Sequence, residues 1–154
     1  MSTKALTTFK IAIVYAMAIL LLAADRAFKM LSRKFGDLNL DIWPWLGFRY
    51  QLNRGIAFSL PLGGWLLIII SIIVIYYIGR YTIKLYQKKQ AVMALLLSLI
   101  GLGAIGNLVD RLIYGAVIDY LDVRLFVCNL SDALISVGTI LLLLALLFEK
   151  KREL

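Results

Sequence analysis

The sequence contains no histidine, one cysteine and two prolines. Without histidine, the Ser/His/Asp and Cys/His catalytic arrangements and the HExxH zinc motif are all excluded. A single cysteine, Cys128, excludes an intramolecular disulfide and a multi-cysteine zinc site, and we interpret it as a small buried apolar residue. Any catalysis must therefore use Asp, Glu, Lys, Ser, Tyr or a backbone group, and we expect neither a metal nor a cofactor.

Charge is also scarce. Only 17% of the residues are charged while 62% are hydrophobic, and the mean hydropathy is +0.90. These values predict an integral membrane protein. The formal net charge is +8, but the basic residues lie at the ends of apolar runs and form no stripe with interleaved aromatics. We therefore expect interfacial anchoring and no nucleic-acid binding.

Four long apolar segments are present. A hydrocarbon core of roughly 30 Å requires about 20 helical residues. We predict spanning helices at about residues 7–24, 61–79, 90–110 and 130–148, in one domain that covers residues 1–154. The first segment follows Lys4 and Lys10 and alternatively resembles a cleaved signal peptide. We favour a span, because Asp25 and Lys29 follow it directly and look like part of a site.

The connection between the first two spans, residues 25–54, is too long for a simple turn. Within it "LNLDIW" and "FRYQLNR" alternate apolar and polar residues with a period of two, which indicates strands. The predicted fold is therefore an all-α membrane protein with four transmembrane helices and a small extracytoplasmic β element between the first and second helices.

The orientation depends on the short connections. Four spans place both termini on one side of the membrane. On that side "GRYTIKLYQKK" has four basic residues and no acid, whereas the basic residues of the opposite side are mixed with aspartates. We therefore predict cytoplasmic N- and C-termini, with residues 25–54 and 110–132 near the outer face.

Two polar motifs lie beside the third and fourth spans. In "GNLVDR", Asn107, Asp110 and Arg111 fall at i, i+3 and i+4 and would share one face of a helix. A helix end with a local charge balance explains them equally well. In "CNLSD", Asn129 is a candidate N-cap with Asp132 at the third helical position, an arrangement that can be purely structural. The spacing alone leaves both alternatives open.

Four motifs together resemble one known family. They are "DRAFK" (25–29), "NRGIAF" (53–58), "GNLVDRLIYGAVIDY" (106–120) and "NLSDALI" (129–135). The chain resembles the lipoprotein signal peptidase family, also called signal peptidase II, whose members are membrane aspartyl proteases that cleave bacterial prolipoproteins. The resemblance implies a catalytic pair of Asp119 and Asp132. Two facing carboxylates cannot both ionise cheaply, and a shared proton leaves one acid and one base.

The resemblance also implies roles for the neighbouring polar residues. The implied substrate-binding residues are Asn53, Gly55, Asn107, Asp110, Arg111 and Asn129. Asp25 and Lys29 are implied as structural support at the end of the first helix. Asp122 has no counterpart in the family pattern, and we expect it to be a solvated or structural acid.

The sequence departs from the family pattern at several positions. Arg26 replaces the common Gln, Phe28 replaces Ser or Thr, Cys128 replaces an aromatic residue and Ser131 replaces the usual Ala. Only 12 residues separate the two implied catalytic aspartates, fewer than is usual for the family. The departures retain both carboxylates, and the short separation implies a reduced lid over the site.

The activity implied by the resemblance is removal of the signal peptide from diacylglyceryl-modified prolipoproteins, with cleavage on the N-terminal side of the lipidated cysteine. The enzyme would be a monomer in the bacterial cytoplasmic (inner) membrane, with the lipidated substrate and phospholipid as partners and an active site near the outer face. A small transporter or proton-coupled channel is an alternative. It requires polar residues through the depth of the bundle, whereas residues 55–79 and 90–109 carry no charge. A non-catalytic assembly or lipid-binding protein is another alternative.

The helix dipole predicts how the two carboxylates share a proton. Asp132 is expected in the first turn of the fourth helix, where unpaired backbone amides favour an anion. Asp119 lies in a connection without such a feature. We therefore expect Asp132 to be the ionised base and Asp119 the protonated acid.

Overall fold

The computed structural model describes residues 3–36, 39–55 and 64–150. This part of the chain contains four helices, which are α1 (Thr3–Lys34), α2 (Gly64–Gln87), α3 (Ala91–Tyr114) and α4 (Leu130–Lys150). Each includes a stretch long and apolar enough to cross a membrane, namely Ile11–Lys34, Gly64–Gln87, Ala91–Tyr114 and Leu130–Phe148. The predicted four-helix membrane fold is confirmed.

Three helices extend beyond their apolar segments by a turn or more, and α3 does so by only one turn, to Tyr114. Helix α1 continues past residue 24 to Lys34, and α2 continues past residue 79 to Gln87. In α1 the reason is burial, because Asp25, Lys29 and Ser32 are at most 1% exposed and find polar partners inside the bundle. The start of the expected second span, residues 61–63, lies outside the described residues, as do residues 56–58 of the second motif.

A four-stranded antiparallel sheet lies at one end of the bundle. Its strands are β1 (Leu40–Trp43), β2 (Leu46–Asn53), β3 (Val117–Asp122) and β4 (Val127–Cys128), in the order β1-β2-β3-β4. The predicted β element between the first two helices is confirmed. The sequence did not predict β3 and β4, which come from the α3–α4 connection. Pairing of β2 with β3 places Asn53 opposite Val117, and Gln51 opposite Asp119.

Three aromatic rings attach this sheet to α1. The ring of Phe28 lies 5.5 Å from that of Tyr120 and 6.3 Å from that of Phe48, measured between centroids. Phe48 and Tyr120 are 5.8 Å apart. Because these residues belong to α1, β2 and β3, the cluster holds both halves of the sheet against one helix.

Helices α3 and α4 approach closely at two glycines. A Cβ added to Gly103 would lie 2.5 Å from the carbonyl oxygen of Ser131, and one added to Gly106 would overlap Ser131 Oγ. No larger residue fits at either position without a shift of α4. This packing holds Asn107, the residue after Gly106, beside the first turn of α4.

Candidate active site

Asp119 and Asp132 are joined through one residue. Asp119 lies in β3 and is 1% exposed, whereas Asp132 lies in the first turn of α4 and is partly exposed. The side chain of Asn129 donates from Nδ2 to Asp119 Oδ1 at 2.6 Å, and its backbone N–H donates to Asp132 Oδ2 at 3.3 Å. The fold therefore brings together the two carboxylates that the family resemblance implied.

Asn129 and Asp132 also form a capping box. The backbone N–H of Asp132 donates to Asn129 Oδ1 at 2.9 Å, and Asp132 Oδ2 accepts the reciprocal bond from the Asn129 backbone. The predicted N-cap is confirmed. The same bonds fix the direction of the Asp132 side chain. Capping of α4 and a role of Asp132 in the site are therefore compatible, because one set of hydrogen bonds serves both.

Two further asparagines orient the carboxylates. Asn53, at the end of β2, donates from Nδ2 to Asp119 Oδ2 at 3.1 Å. Asn107, on α3, donates from Nδ2 to Asp132 Oδ1 at 2.7 Å. Each carboxylate thus accepts at least two N–H bonds, and four elements, β2, α3, β3 and α4, meet at the pair.

Asp119 has a strongly raised pKa. Burial, together with the nearby charge of Asp132, raises the pKa of Asp119 to about 7, even though hydrogen bonds from Asn53 and Asn129 act in the opposite direction. A carboxyl group with this pKa can hold a proton near neutral pH. This supports, for Asp119, the role of acid that we expected from the helix dipole.

A cavity of about 370 Å³ opens beside Asp132. Its polar lining residues are Asn53, Asn107, Arg111, Asp132 and Ser136, and the remainder are Val117, Phe126, Val127, Cys128 and Ile135. The cavity thus combines polar and apolar lining residues, which suits an amphiphilic ligand.

Arg111 lines this cavity and contacts Gly55, which is not itself among the lining residues. The guanidinium of Arg111 donates to the carbonyl oxygens of Gly55 and Asn107, both at a long 3.5 Å. The backbone N–H of Gly55 donates to Asn53 Oδ1 at 3.1 Å. Residue 55 is therefore held against both the guanidinium and an asparagine that contacts Asp119.

Cys128 faces the same cavity from β4. Burial raises the pKa of the Cys128 thiol to about 11, and the charges of Asp132 and Asp119 act in the same direction. The residue therefore stays protonated at neutral pH, and its chemistry is that of a small apolar wall residue.

Lys29 lies at the centre of a buried charge network behind the cavity. Its Nζ is 2.8 Å from Asp25 Oδ2 and 2.7 Å from Asp110 Oδ2, and its side chain is fully buried. The same atom donates to Asn107 Oδ1 at 3.3 Å. Because the other end of the Asn107 amide donates to Asp132, Lys29 fixes the orientation of a group that contacts the pair.

Asp25 connects α1 to the start of α4. It accepts hydrogen bonds from Ser131 Oγ at 2.8 Å, from the Leu130 N–H at 3.0 Å and from the Tyr120 hydroxyl at 3.0 Å. Asp25 and Lys29 lie in the last third of α1, which continues to Lys34, and their contacts are with α1, β3, α3 and the start of α4. The hydroxyl of Ser131, which stands where the family usually has Ala, is used by this network.

Asp110 occupies a different place from the one expected. It is fully buried, 2.7 Å from Lys29 Nζ and 2.6 Å from Arg26 Nη1, and it accepts the backbone N–H of Ile118 at 3.3 Å. It is not among the residues that line the cavity. Its position indicates that it anchors β3, one residue before Asp119, to α3, and the unusual Arg26 is one of its two cationic partners.

Several residues around the site were not predicted. Asp122, expected to be a solvated or structural acid, is only 6% exposed, and Arg49 Nε lies 2.7 Å from its Oδ2, which favours the structural alternative. Ile135 and Ser136 line the cavity at three and four residues beyond Asp132. Helical spacing from Asp132 could have found those two, since i, i+3 and i+4 share a face. No local signal indicated the cavity-lining Phe126 and Val127.

Comparison with known proteins identifies the family. The family model for "Signal peptidase (SPase) II" matches residues 17–148. The chain belongs to the signal peptidase II family. It is therefore a peptidase and a multi-pass bacterial membrane protein, as the apolar helices independently indicate.

Individual relatives agree with this family assignment. The chain is 44% identical to a lipoprotein signal peptidase of Desulfitobacterium hafniense (strain DSM 10664 / DCB-2) over 107 residues, which cover 68% of this chain and 70% of the relative. It is 34% identical to a lipoprotein signal peptidase of Halothermothrix orenii over 143 residues, which cover 90% and 97%. A solved bacterial membrane enzyme, determined by the in meso method, superposes with a TM-score of 0.80 at 23% identity, covering 93% of this chain and 92% of that one. At that identity the superposition shows a shared fold.

Proposed function

We propose that this chain is an aspartyl endopeptidase that removes the signal peptide from diacylglyceryl-modified prolipoproteins, cutting on the N-terminal side of the lipidated cysteine. Membership of the signal peptidase II family supports the removal of signal peptides from prolipoproteins. The observation that carries the aspartyl mechanism is the linkage of Asp119 and Asp132 through Asn129 beside a cavity with apolar walls.

The two aspartates take different roles in this mechanism. Asp132, ionised at the N-terminus of α4, removes a proton from water as the water attacks the scissile carbonyl. Asp119, which holds a proton near neutral pH, protonates the carbonyl oxygen. The proton taken up by Asp132 is then delivered to the departing amine while Asp119 takes back a hydroxyl proton from the tetrahedral intermediate, so the peptide bond breaks without a covalent intermediate and both aspartates return to their starting states.

The residues around the pair position the carboxylates and the substrate. Asn53, Asn107 and Asn129 hold the carboxylates, and Asn53 and Asn107, which also line the cavity, face the substrate backbone, whereas the buried Asn129 contacts only the pair and its surroundings. Arg111 on the cavity wall and the neighbouring Gly55 bind that backbone, since a guanidinium can donate two parallel hydrogen bonds to carbonyl groups. Asp110, together with Asp25 and Lys29, supports the site from behind.

The substrate explains the membrane location. Both the signal helix and the diacylglyceryl group of a prolipoprotein are held in the bilayer, so they can reach the cavity laterally. The apolar wall formed by Val117, Val127 and Ile135 would contact apolar parts of such a substrate. We place the cavity and the sheet at the outer face of the cytoplasmic membrane, with both termini in the cytoplasm, and we take the enzyme to be a monomer surrounded by phospholipid.

The test is cleavage of a diacylglyceryl prolipopeptide by the purified protein. We expect release of the signal peptide, and a loss of at least about 100-fold in kcat for Asp119→Asn and for Asp132→Asn, because an amide cannot transfer the proton. Both variants should still insert and fold, and a peptide of the same sequence without the lipid serves as the substrate control. Wild-type turnover by either variant would show that the pair is not catalytic.

A further inference from the structure

Four charged residues form a closed ring on the sheet. Arg49 Nε lies 2.7 Å from Asp122 Oδ2, and Arg49 Nη2 lies 3.3 Å from Asp41 Oδ1. Arg124 closes the ring, because its Nη2 lies 3.0 Å from Asp41 Oδ1 and its backbone N–H donates to Asp122 Oδ1 at 2.7 Å. We call Asp41, Arg49, Asp122 and Arg124 the ion ring. It contains no catalytic group.

The register of the sheet brings the two acids of the ion ring together. Gly47, on β2, pairs with Asp41 on β1 and with Asp122 on β3. A Cβ on Gly47 would lie 3.0 Å from the Leu40 carbonyl oxygen and 3.5 Å from Asp122 Cβ, so no side chain separates the acids. Two like charges on either side of a glycine would repel each other, and the two guanidinium groups offset this repulsion.

Arg124 lies in a backbone conformation that does not suit arginine. The Val123 N–H donates to the Phe126 carbonyl oxygen at 3.0 Å and closes a two-residue hairpin loop. Arg124 is the first loop residue and has a φ of 68°, a left-handed value at a position where this turn favours glycine. The turn alone therefore gives no reason for arginine. The contacts of the side chain explain the arginine, because Arg124 Nε donates to the Pro44 carbonyl oxygen in the β1–β2 turn at 3.1 Å.

The hairpin held in this way forms part of the cavity wall. Phe126, Val127 and Cys128 follow the loop directly and line the cavity, and β3 on the other side of the loop carries Asp119. We propose that Arg124 is a positioning residue for substrate binding: through the ion ring it ties the β3–β4 hairpin to the β1–β2 turn and thereby sets the width of the substrate cavity. The inference rests on the proposed function.

The decisive variant is Arg124→Gly. Glycine adopts the left-handed conformation readily, so the turn is retained while the guanidinium is lost. We expect KM for the lipopeptide to rise about three- to fivefold with kcat unchanged, in keeping with the modest strength of partly exposed ion pairs. If Arg124 served only the turn, glycine would preserve KM. An unchanged KM, or a fall in kcat at constant KM, would overturn the proposal.

The chain provides a second readout that does not depend on activity. Cys128 is its one cysteine and lies in the wall, so its rate of alkylation by N-ethylmaleimide at pH 8 reports how open the wall is. We expect alkylation to be about three- to fivefold faster in Arg124→Gly, on the same ion-pair argument. Asp41→Asn, which removes the outer partner without touching the turn, should change KM and alkylation in the same direction.

Ionic strength and a matched control complete the experiment. The side chains of Arg124 and Asp41 are 36% and 61% exposed, so salt approaching 1 M, where the screening length is about 3 Å, should move wild-type KM toward the Arg124→Gly value and leave the KM of the variant unchanged.

Lys34→Gln is the matched control: it removes an exposed charge at the end of α1 and should alter neither KM nor the alkylation rate. If the wild type cleaved no lipopeptide, the proposed function would fail, while unchanged alkylation in Arg124→Gly and Asp41→Asn would by itself overturn the inference.

Discussion

At the scale of single residues, Asp119 links protonation to stability. Its pKa is raised to about 7 in the folded protein, so the folded state keeps a proton that the unfolded chain releases near the usual carboxyl pKa of about 4. The contribution of Asp119 to the free energy of unfolding is therefore fully present below about pH 4 and is lost as the pH rises through 7. Asp119→Asn should melt a few degrees higher than the wild type at pH 8, on the order expected for about 1 kcal/mol, and this gap should close near pH 4.

Thermal unfolding in detergent from pH 4 to pH 8 measures the difference in melting temperature between Asp119→Asn and the wild type. A carboxyl-resolved infrared titration shows which aspartate carries the proton. Asp132→Asn should lower the pKa of Asp119, because it removes a nearby negative charge. A resting proton found chiefly on Asp132 would reverse the proposed acid and base while retaining the pair.

Replacing Arg111 tests whether substrate binding depends on the planar geometry of the guanidinium or only on its positive charge. Its contacts with the carbonyl oxygens of Gly55 and Asn107 are long, so its guanidinium is poorly satisfied by the protein and suited to a substrate. Arg111→Lys should lower kcat/KM about tenfold, because an ammonium cannot reproduce the planar arrangement of donors. Steady-state kinetics on the lipopeptide measure this, and an unchanged kcat/KM would identify Arg111 as an interfacial charge.

At the scale of elements, Lys29 holds α1 against α3 through Asp25, Asp110 and Asn107. Lys29→Met would leave the carboxylates of Asp25 and Asp110 buried with less compensation, which typically costs about 3–5 kcal/mol. Arg26→Gln is the matched control, because Arg26 is 31% exposed and Lys29 still neutralises Asp110. We expect a large drop in the melting temperature for Lys29→Met and a small one for Arg26→Gln. Equal effects would contradict a central role for Lys29.

The helices were predictable because length and hydropathy specify a span with little reference to the rest of the chain. Their ends were less predictable, since the charges at Asp25 and Lys29 end an apolar run but not the helix when they are paired inside the bundle. Strand β3 was missed for a related reason. Five of its six residues are buried, so it lacks the alternation that indicates a half-buried strand, and its partner β2 lies far away in sequence.

In the site, the sequence predicted which residues take part better than it predicted where their side chains point. The motifs identified the residues that contact Asp119 and Asp132, but not the direction of every side chain. Asn107 and Arg111, four residues apart, both line the cavity. Asp110 lies between them and turns toward α1, where Lys29 and Arg26 attract it. Helical spacing cannot supply this outcome, because it depends on which charges the neighbouring helix presents.

At the scale of the whole molecule, the orientation in the membrane is open to a direct test. In a Cys128→Ser background, Leu125→Cys places a thiol at the sheet, where the native side chain is 89% exposed. Lys89→Cys places one in the α2–α3 connection. A membrane-impermeant maleimide added to intact spheroplasts should label Leu125→Cys and should label Lys89→Cys only after the membrane is disrupted. The opposite pattern would place both termini outside the cytoplasm.

The close contact of α3 and α4 at two glycines limits where a substrate helix can enter or leave the bundle. With no side chain between the helices at Gly103 and Gly106, a signal helix about 10 Å wide cannot pass there without separating them. Under the proposed function, the flank where Phe126, Ile135 and Ser136 border the cavity offers a lateral route that avoids this contact. If an arriving prolipoprotein and a departing signal peptide both use this flank, a cleaved peptide that remains in the bilayer competes with the next substrate for the enzyme.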